Sequence, residues 1–138
     1  MEFSVKTSKR EEVIDITEKV EENVSKLWEK EKKIVCNKKS RACLIFALHT
    51  TCAVIINEIS NKKFCEDLLN FLKKQVPQGV WKHNCTRKNG DSHIKETILG
   101  SNQLIPISEG KLVLGTWQRI GLVELDGPRE RKIIVQII

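Results

Sequence analysis

The sequence predicts an α+β fold whose antiparallel sheets form a sandwich-like core, with two or three helices. Three observations predict it. Short apolar, β-branched stretches recur along the chain. Two segments of the first half carry helical apolar spacing instead. The last third reads as short strands alone, separated by turn-forming residues, which favours antiparallel pairing over a parallel sheet wound with helices.

Each element has its own signal. "FSVKT" alternates as a first strand and "VIDIT" as a second. Thr17 is placed to cap a helix over "EKVEENVSKLWEKEKK", with Val20, Val24 and Leu27 as its apolar stripe and glutamates in its first turn. "RACLIFAL" and "CAVIINE" are two strong strands, and "KFCEDLLNFLKKQV" is a second helix with Phe64, Leu68 and Leu72 on one face. Pro77 follows its end. "HIKETILG" predicts a short third helix, capped by Asp91 or Ser92 and ended by Gly100. "QLIPI", "KLVLGTW", "RIGLVEL" and "KIIVQII" are strands, with "SEG" and "DGPR" as turns.

The 138 residues suit one domain spanning 1–138, and no linker or internal repeat divides it. No export signal or membrane-spanning apolar run stands out, so the expected location is the cytoplasm, off the membrane. Five cysteines without a CxxC pair fit free thiols better than a disulfide framework. Cys43 and Cys65 sit among apolar residues as small core side chains. The net charge is +6, and much of it lies in "EKEKKIVCNKKSR". That run has no interleaved aromatics to stack on bases, so a solvated helix end accounts for it better than a nucleic-acid surface.

The chemistry concentrates at "ALHTTCAVIINE", where His49 and two threonines interrupt an apolar stretch. His83 and His93 flank a polar loop whose "NGD" turn can fold them toward each other. Three neutral imidazoles with an open position form the ligand set of catalytic zinc sites, although the spacing matches no compact template. Glu58 and Asp91 are candidate carboxylates to orient the rings or accept a proton. Thr50 and Thr51 offer hydroxyls for an anion, Arg129 a bidentate clamp after the Asp-Gly-Pro turn, and Gln118 an amide that must find partners within an apolar strand. Cys52 and Cys85 lie beside His49 and His83; a mixed Cys/His site is conceivable, but positions 49 and 52 of a strand point to opposite faces, and packed thiols account for the pair better.

"HTTCAVIINE", the run from His83 to Gly100, "IPI…GKLVLGTWQ" and "ELDGPRERKIIVQ", in this order, resemble the YjbQ family across nearly the whole chain. The family was long catalogued as uncharacterised. The resemblance implies a small α+β fold with antiparallel sheets, assembled as a homotrimer. It implies thiamine-phosphate synthase activity as a secondary reaction, which joins a pyrimidine diphosphate to a thiazole phosphate and releases pyrophosphate. It also implies that His49, His83 and His93 can hold a metal. Members often carry a small residue where this chain has Cys52, so Cys52 is not expected to be an obligate catalyst.

The expectation is therefore a metal-dependent enzyme, zinc by ligand type, acting on phosphorylated small molecules. The three histidines would activate water or grip a phosphate. Thr50, Thr51, Gln118 and Arg129 would bind and orient substrate, with Glu58 or Asp91 as proton acceptor. The alternative is a trimeric metabolite- or metal-binding protein with no chemistry of its own.

Overall fold

The computed structural model describes residues 1–32, 41–83 and 88–138. Within them the chain runs β1 (Glu2–Lys6), β2 (Glu12–Asp15), α1 (Thr17–Lys32), β3 (Arg41–Ala47), β4 (Cys52–Asn57), α2 (Lys62–Gln75) and α3 (Gly90–Leu99). It closes with β5 (Asn102–Ser108), β6 (Lys111–Leu112), β7 (Arg119–Glu124) and β8 (Glu130–Ile137). Two antiparallel sheets form, one ordered β1-β8-β3-β5-β6 and one ordered β2-β7-β4. The basic run from residue 33 to 40, and Cys85 in the loop after His83, lie outside the described residues.

Strand alternation builds the core. On β4, Cys52 and Val54 face inward; on β7, Ile120 and Leu122; on β8, Ile133, Val135 and Ile137. These side chains meet Cys43, Ile45 and Ala47 of β3 and Ile105 and Ile107 of β5 between the sheets. Val20 and Val24 of α1 join the same cluster. The intervening positions Ala53 and Val123 point to the other face of the three-stranded sheet, with Leu125 just beyond β7, where Leu69 of α2 and Leu99 of α3 cover them. The sandwich and the three helices expected from the sequence are thus present among the described residues. None of the described helices is long and apolar enough to cross a membrane.

Three local expectations are corrected. Thr17 opens α1 but does not cap it: its hydroxyl lies 2.6 Å from Asp15 Oδ1 and accepts the Ile120 N–H at 2.8 Å, so it ties the helix to β7. Helix α3 starts at Gly90, before the expected caps. Asp91 and Ser92 fall inside it and are buried, because both are used for tertiary contacts. "KLVLGTW" forms only a two-residue strand, since Gly115 to Gln118 closes on itself through a Gln118 N–H bond to the Gly115 carbonyl at 3.0 Å. Asn61 caps α2, accepting from the Lys63 and Phe64 amides, and Leu72 is its buried contact. Gly100 ends α3 at φ 89°, in the region that favours glycine.

Candidate functional site

The connection between β3 and β4 passes from one sheet to the other, and His49 sits on it. It is therefore a turn residue at one end of the sandwich, where the sequence suggested a strand end. The turn is anchored on both sides: Leu48 N–H bonds the Lys132 carbonyl at 3.0 Å and Leu125 N–H bonds the Thr51 carbonyl at 3.2 Å. His49 is exposed, but its Nδ1 is not free. It accepts the Thr51 backbone N–H at 3.2 Å and lies 3.0 Å from the Thr51 hydroxyl. Partial burial, and then the Arg131 and Arg129 cations, push the His49 pKa below its usual value, which favours the neutral ring.

Beneath the turn, a charged pair joins the two sheets from the inside. Arg131 of β8 donates Nε to Glu124 Oε2 at 2.7 Å and Nη2 to Oε1 at 2.5 Å, and both side chains are fully buried. Glu124 also accepts the Leu125 and Asp126 amides at 2.9 and 2.8 Å, and bonds the Thr7 hydroxyl at 2.9 Å. Arg131 Nη2 reaches the Thr51 hydroxyl at 3.0 Å. Its Nη1 is buried without a hydrogen-bond partner among the described residues. This pair lies outside the site residues expected from the sequence. The signal was periodicity: Arg131 is in phase with Ile133 and Val135, and Glu124 with Leu122 and Ile120, all inward positions.

The neighbouring residues divide into those the fold gathers here and those it does not. Arg129 is at this end, but Asp126 holds it through its carboxylate and its carbonyl, each at 2.7 Å. Asn89 donates to the same Asp126 carboxylate at 3.0 Å. Gly127, in the same turn, is pressed so closely on the Lys9 carbonyl that a Cβ would overlap it. Thr50 is exposed on the turn, whereas Thr51 is buried. Thr51 therefore holds His49 and Arg131, not a substrate anion. His83 and His93 do come together, with ring centroids 4.8 Å apart, edge to face. His93 is in the first turn of α3, which is fixed to this end by a Ser92 hydroxyl bond to the Leu125 carbonyl at 2.5 Å.

Asp91 is not a free base. Burial alone would raise its pKa, but hydrogen bonds from Lys95 and Arg10 outweigh that and hold it below the usual carboxylate value. Lys95 reaches Asp91 at 3.0 Å and Glu11 at 2.5 Å, and the cluster locks α3 to the β1–β2 connection. Glu58 and Gln118 lie elsewhere. Antiparallel pairing sets Cys52 opposite Glu124 and Asn57 opposite Arg119. Six residues of β7 then carry Gln118 and Glu58 roughly 20 Å from the His49 end of the same chain. Gln118 is exposed, and its amide oxygen accepts the Gly115 N–H at 2.8 Å, closing its own turn. Cys52 is buried and its thiol is pushed up to about 11 by burial, which suits packing and not nucleophilic attack.

Among the described residues the three histidines are not gathered into one ligand set. No three His, Cys, Asp or Glu side chains converge to hold an ion among the described residues. The donors also conflict. A backbone N–H and a hydroxyl both lie within hydrogen-bond distance of His49 Nδ1, an arrangement that competes with a protonated Nδ1 and so with metal ligation through Nε2.

The family model for UPF0047 proteins of the YjbQ-like type matches residues 1–138. The chain belongs to the YjbQ family. A UPF0047 protein of Archaeoglobus fulgidus is 42% identical over 139 residues, covering 100% of both chains. The UPF0047 protein YugU of Bacillus subtilis is 35% identical, over 99% of this chain and 96% of the relative. A YjbQ-family crystal structure of an uncharacterised protein from Clostridium acetobutylicum superposes with a TM-score of 0.85 at 40% identity, covering 100% of this chain and 99% of the other. A crystal structure of a protein of unknown function from Sulfolobus solfataricus gives a TM-score of 0.87 at 42% identity, over 99% of this chain and 94% of that one. The YjbQ fold is thus shared at full length.

Proposed function

We propose that this YjbQ protein is an enzyme acting on phosphorylated small molecules at the His49 end of the sandwich. One observation carries the reading: the exposed His49 imidazole is held through Nδ1 by the amide and hydroxyl of buried Thr51, which Arg131 grips from beneath. Such a ring directs an Nε2–H donor into a cationic field. That arrangement favours an oxygen on which negative charge accumulates, as on a departing phosphate or pyrophosphate.

Thiamine-phosphate synthase chemistry, which the resemblance implies as a secondary activity, is a case of that class. The carbon–oxygen bond of the pyrimidine diphosphate breaks, the thiazole nitrogen forms the new carbon–nitrogen bond, and pyrophosphate leaves with the electron pair. His49 would donate to the leaving oxygens and Arg129 would face the substrate. The reading includes a cytoplasmic homotrimer. The assembly is supported by an apolar strip on the outer face of the five-stranded sheet, with Leu104 exposed and Leu44, Phe46 and Ile134 half-buried.

A second reading, a non-catalytic metabolite- or metal-binding protein, is favoured by the His83–His93 pair. Two imidazoles so close can share a divalent ion, zinc by ligand type. The readings separate by turnover. With the pyrimidine diphosphate and thiazole phosphate supplied, the wild-type protein should release pyrophosphate continuously and His49→Ala should not. Binding without release by the wild type would move the second reading ahead.

A further inference from the structure

Around His49 the hydrogen positions are dictated by which groups have no choice. A guanidinium has donors only. Arg131 Nη2 meets the Thr51 hydroxyl at 3.0 Å and the Thr51 carbonyl at 3.3 Å; the hydroxyl is the nearer, and toward a guanidinium its oxygen can only accept. Its single proton is then left for another partner, and His49 Nδ1 is 3.0 Å away. The Thr51 backbone N–H, which can neither rotate nor accept, addresses the same nitrogen. A proton on Nδ1 would face both donors. Glu124 sets the direction of the chain, because it takes Nε and one Nη2 proton of Arg131 and so orients the other Nη2 proton at Thr51.

We infer that the buried Glu124–Arg131 pair, acting through Thr51, is a positioning device that keeps His49 as the Nε2–H tautomer. His49 then offers a ligand a hydrogen-bond donor for an anionic phosphoryl oxygen, and not a lone pair for a metal. Arg131 and Glu124 are positioning residues: they touch Thr51 and each other, and Thr51 touches the ring. The use of that donor rests on the function proposed above. The tautomer does not, and it can be measured without a substrate.

The test is ring-nitrogen NMR of the full-length protein, as wild type, Thr51→Ser, Thr51→Val and Arg131→Lys, before and after adding inorganic pyrophosphate. Wild type and Thr51→Ser, which keeps the hydroxyl, should show a protonated Nε2 and a bare Nδ1. Thr51→Val should shift the tautomer ratio roughly fivefold toward Nδ1–H, the worth of one ordinary hydrogen bond. Arg131→Lys, where it folds, should do the same, because the released hydroxyl can turn and accept; Thr51→Val stands alone if it does not fold. A wild-type ring protonated on Nδ1 overturns the inference. So does a Thr51→Val ring with the wild-type ratio. A folded Arg131→Lys protein with the wild-type ratio removes the ion pair from the device. Pyrophosphate should move the His49 Nε2–H resonance. If it does not while the tautomer is as inferred, the ligand role fails together with the proposed function, and the positioning device stands.

Discussion

Arg131 and Glu124 occupy inward strand positions where aliphatic side chains would pack without penalty. Two buried charges survive there because each is surrounded by partners that replace water. Removing one partner leaves the other buried and unpaired. Arg131→Met should therefore lower unfolding stability by about 3–5 kcal/mol, read as a lower urea midpoint. Adding Glu124→Leu to the same protein should restore much of the loss, and failure to do so would mean that the pair is not the source. His49 gives a second consequence. Its folded pKa is depressed below 6.5, by partial burial and then by Arg131 and Arg129. An unfolded chain takes up the proton first as pH falls, so the stability tied to His49 is present above 6.5 and is lost as pH falls through the lower folded pKa. Histidine NMR titration should show His49 protonating at lower pH in the folded than in the unfolded protein.

At the scale of elements, capping and register decide how firmly the site is framed. Asn61 gives α2 its only named side-chain cap, holding two amides through one oxygen. Asn61→Ala should cost about 1 kcal/mol and lower Tm by roughly 3 °C, with the His49 end undisturbed. The strands were legible from alternation, and α2 from the spacing of Phe64, Leu68 and Leu72. The start of α3 was not. Asp91 and Ser92 have the chemistry of caps, yet Lys95, Arg10 and the Leu125 carbonyl claim them. Thr17 is a similar case, claimed by Ile120. Lys95 is one turn from Asp91, but Arg10, Leu125 and Ile120 are distant in sequence, and local propensity loses to partners that no window of sequence contains.

For the whole molecule, topology decides which expected site residues can meet. His49, Thr51 and Arg129 come to one end because the β3–β4 turn and the Asp-Gly-Pro turn both close there. Glu58 and Gln118 go to the other end because β4 and β7 pair antiparallel in a register that residue type does not reveal. Arg131 and Glu124 share the phase of inward positions but are linked only once β7 and β8 lie in facing sheets. The outer face of the five-stranded sheet bears on assembly. Leu104, 57% exposed, lies opposite Leu44 on it. If the proposed trimer uses this face, Leu104→Lys should give a monomer by light scattering where the wild type gives a trimer. A wild type that runs as a monomer at all concentrations would exclude that assembly.

On the proposed function, His49 presents a donor to an anionic phosphoryl group. Calorimetric titration of inorganic pyrophosphate into the metal-free wild type, His49→Gln and His49→Ala tests it most directly. Saturable binding by the wild type, weakened at least roughly tenfold in His49→Ala and partly kept in His49→Gln, whose amide can still donate, is expected. Equal binding by wild type and His49→Ala, or binding that requires zinc and is lost with His83 and His93 instead, would contradict it.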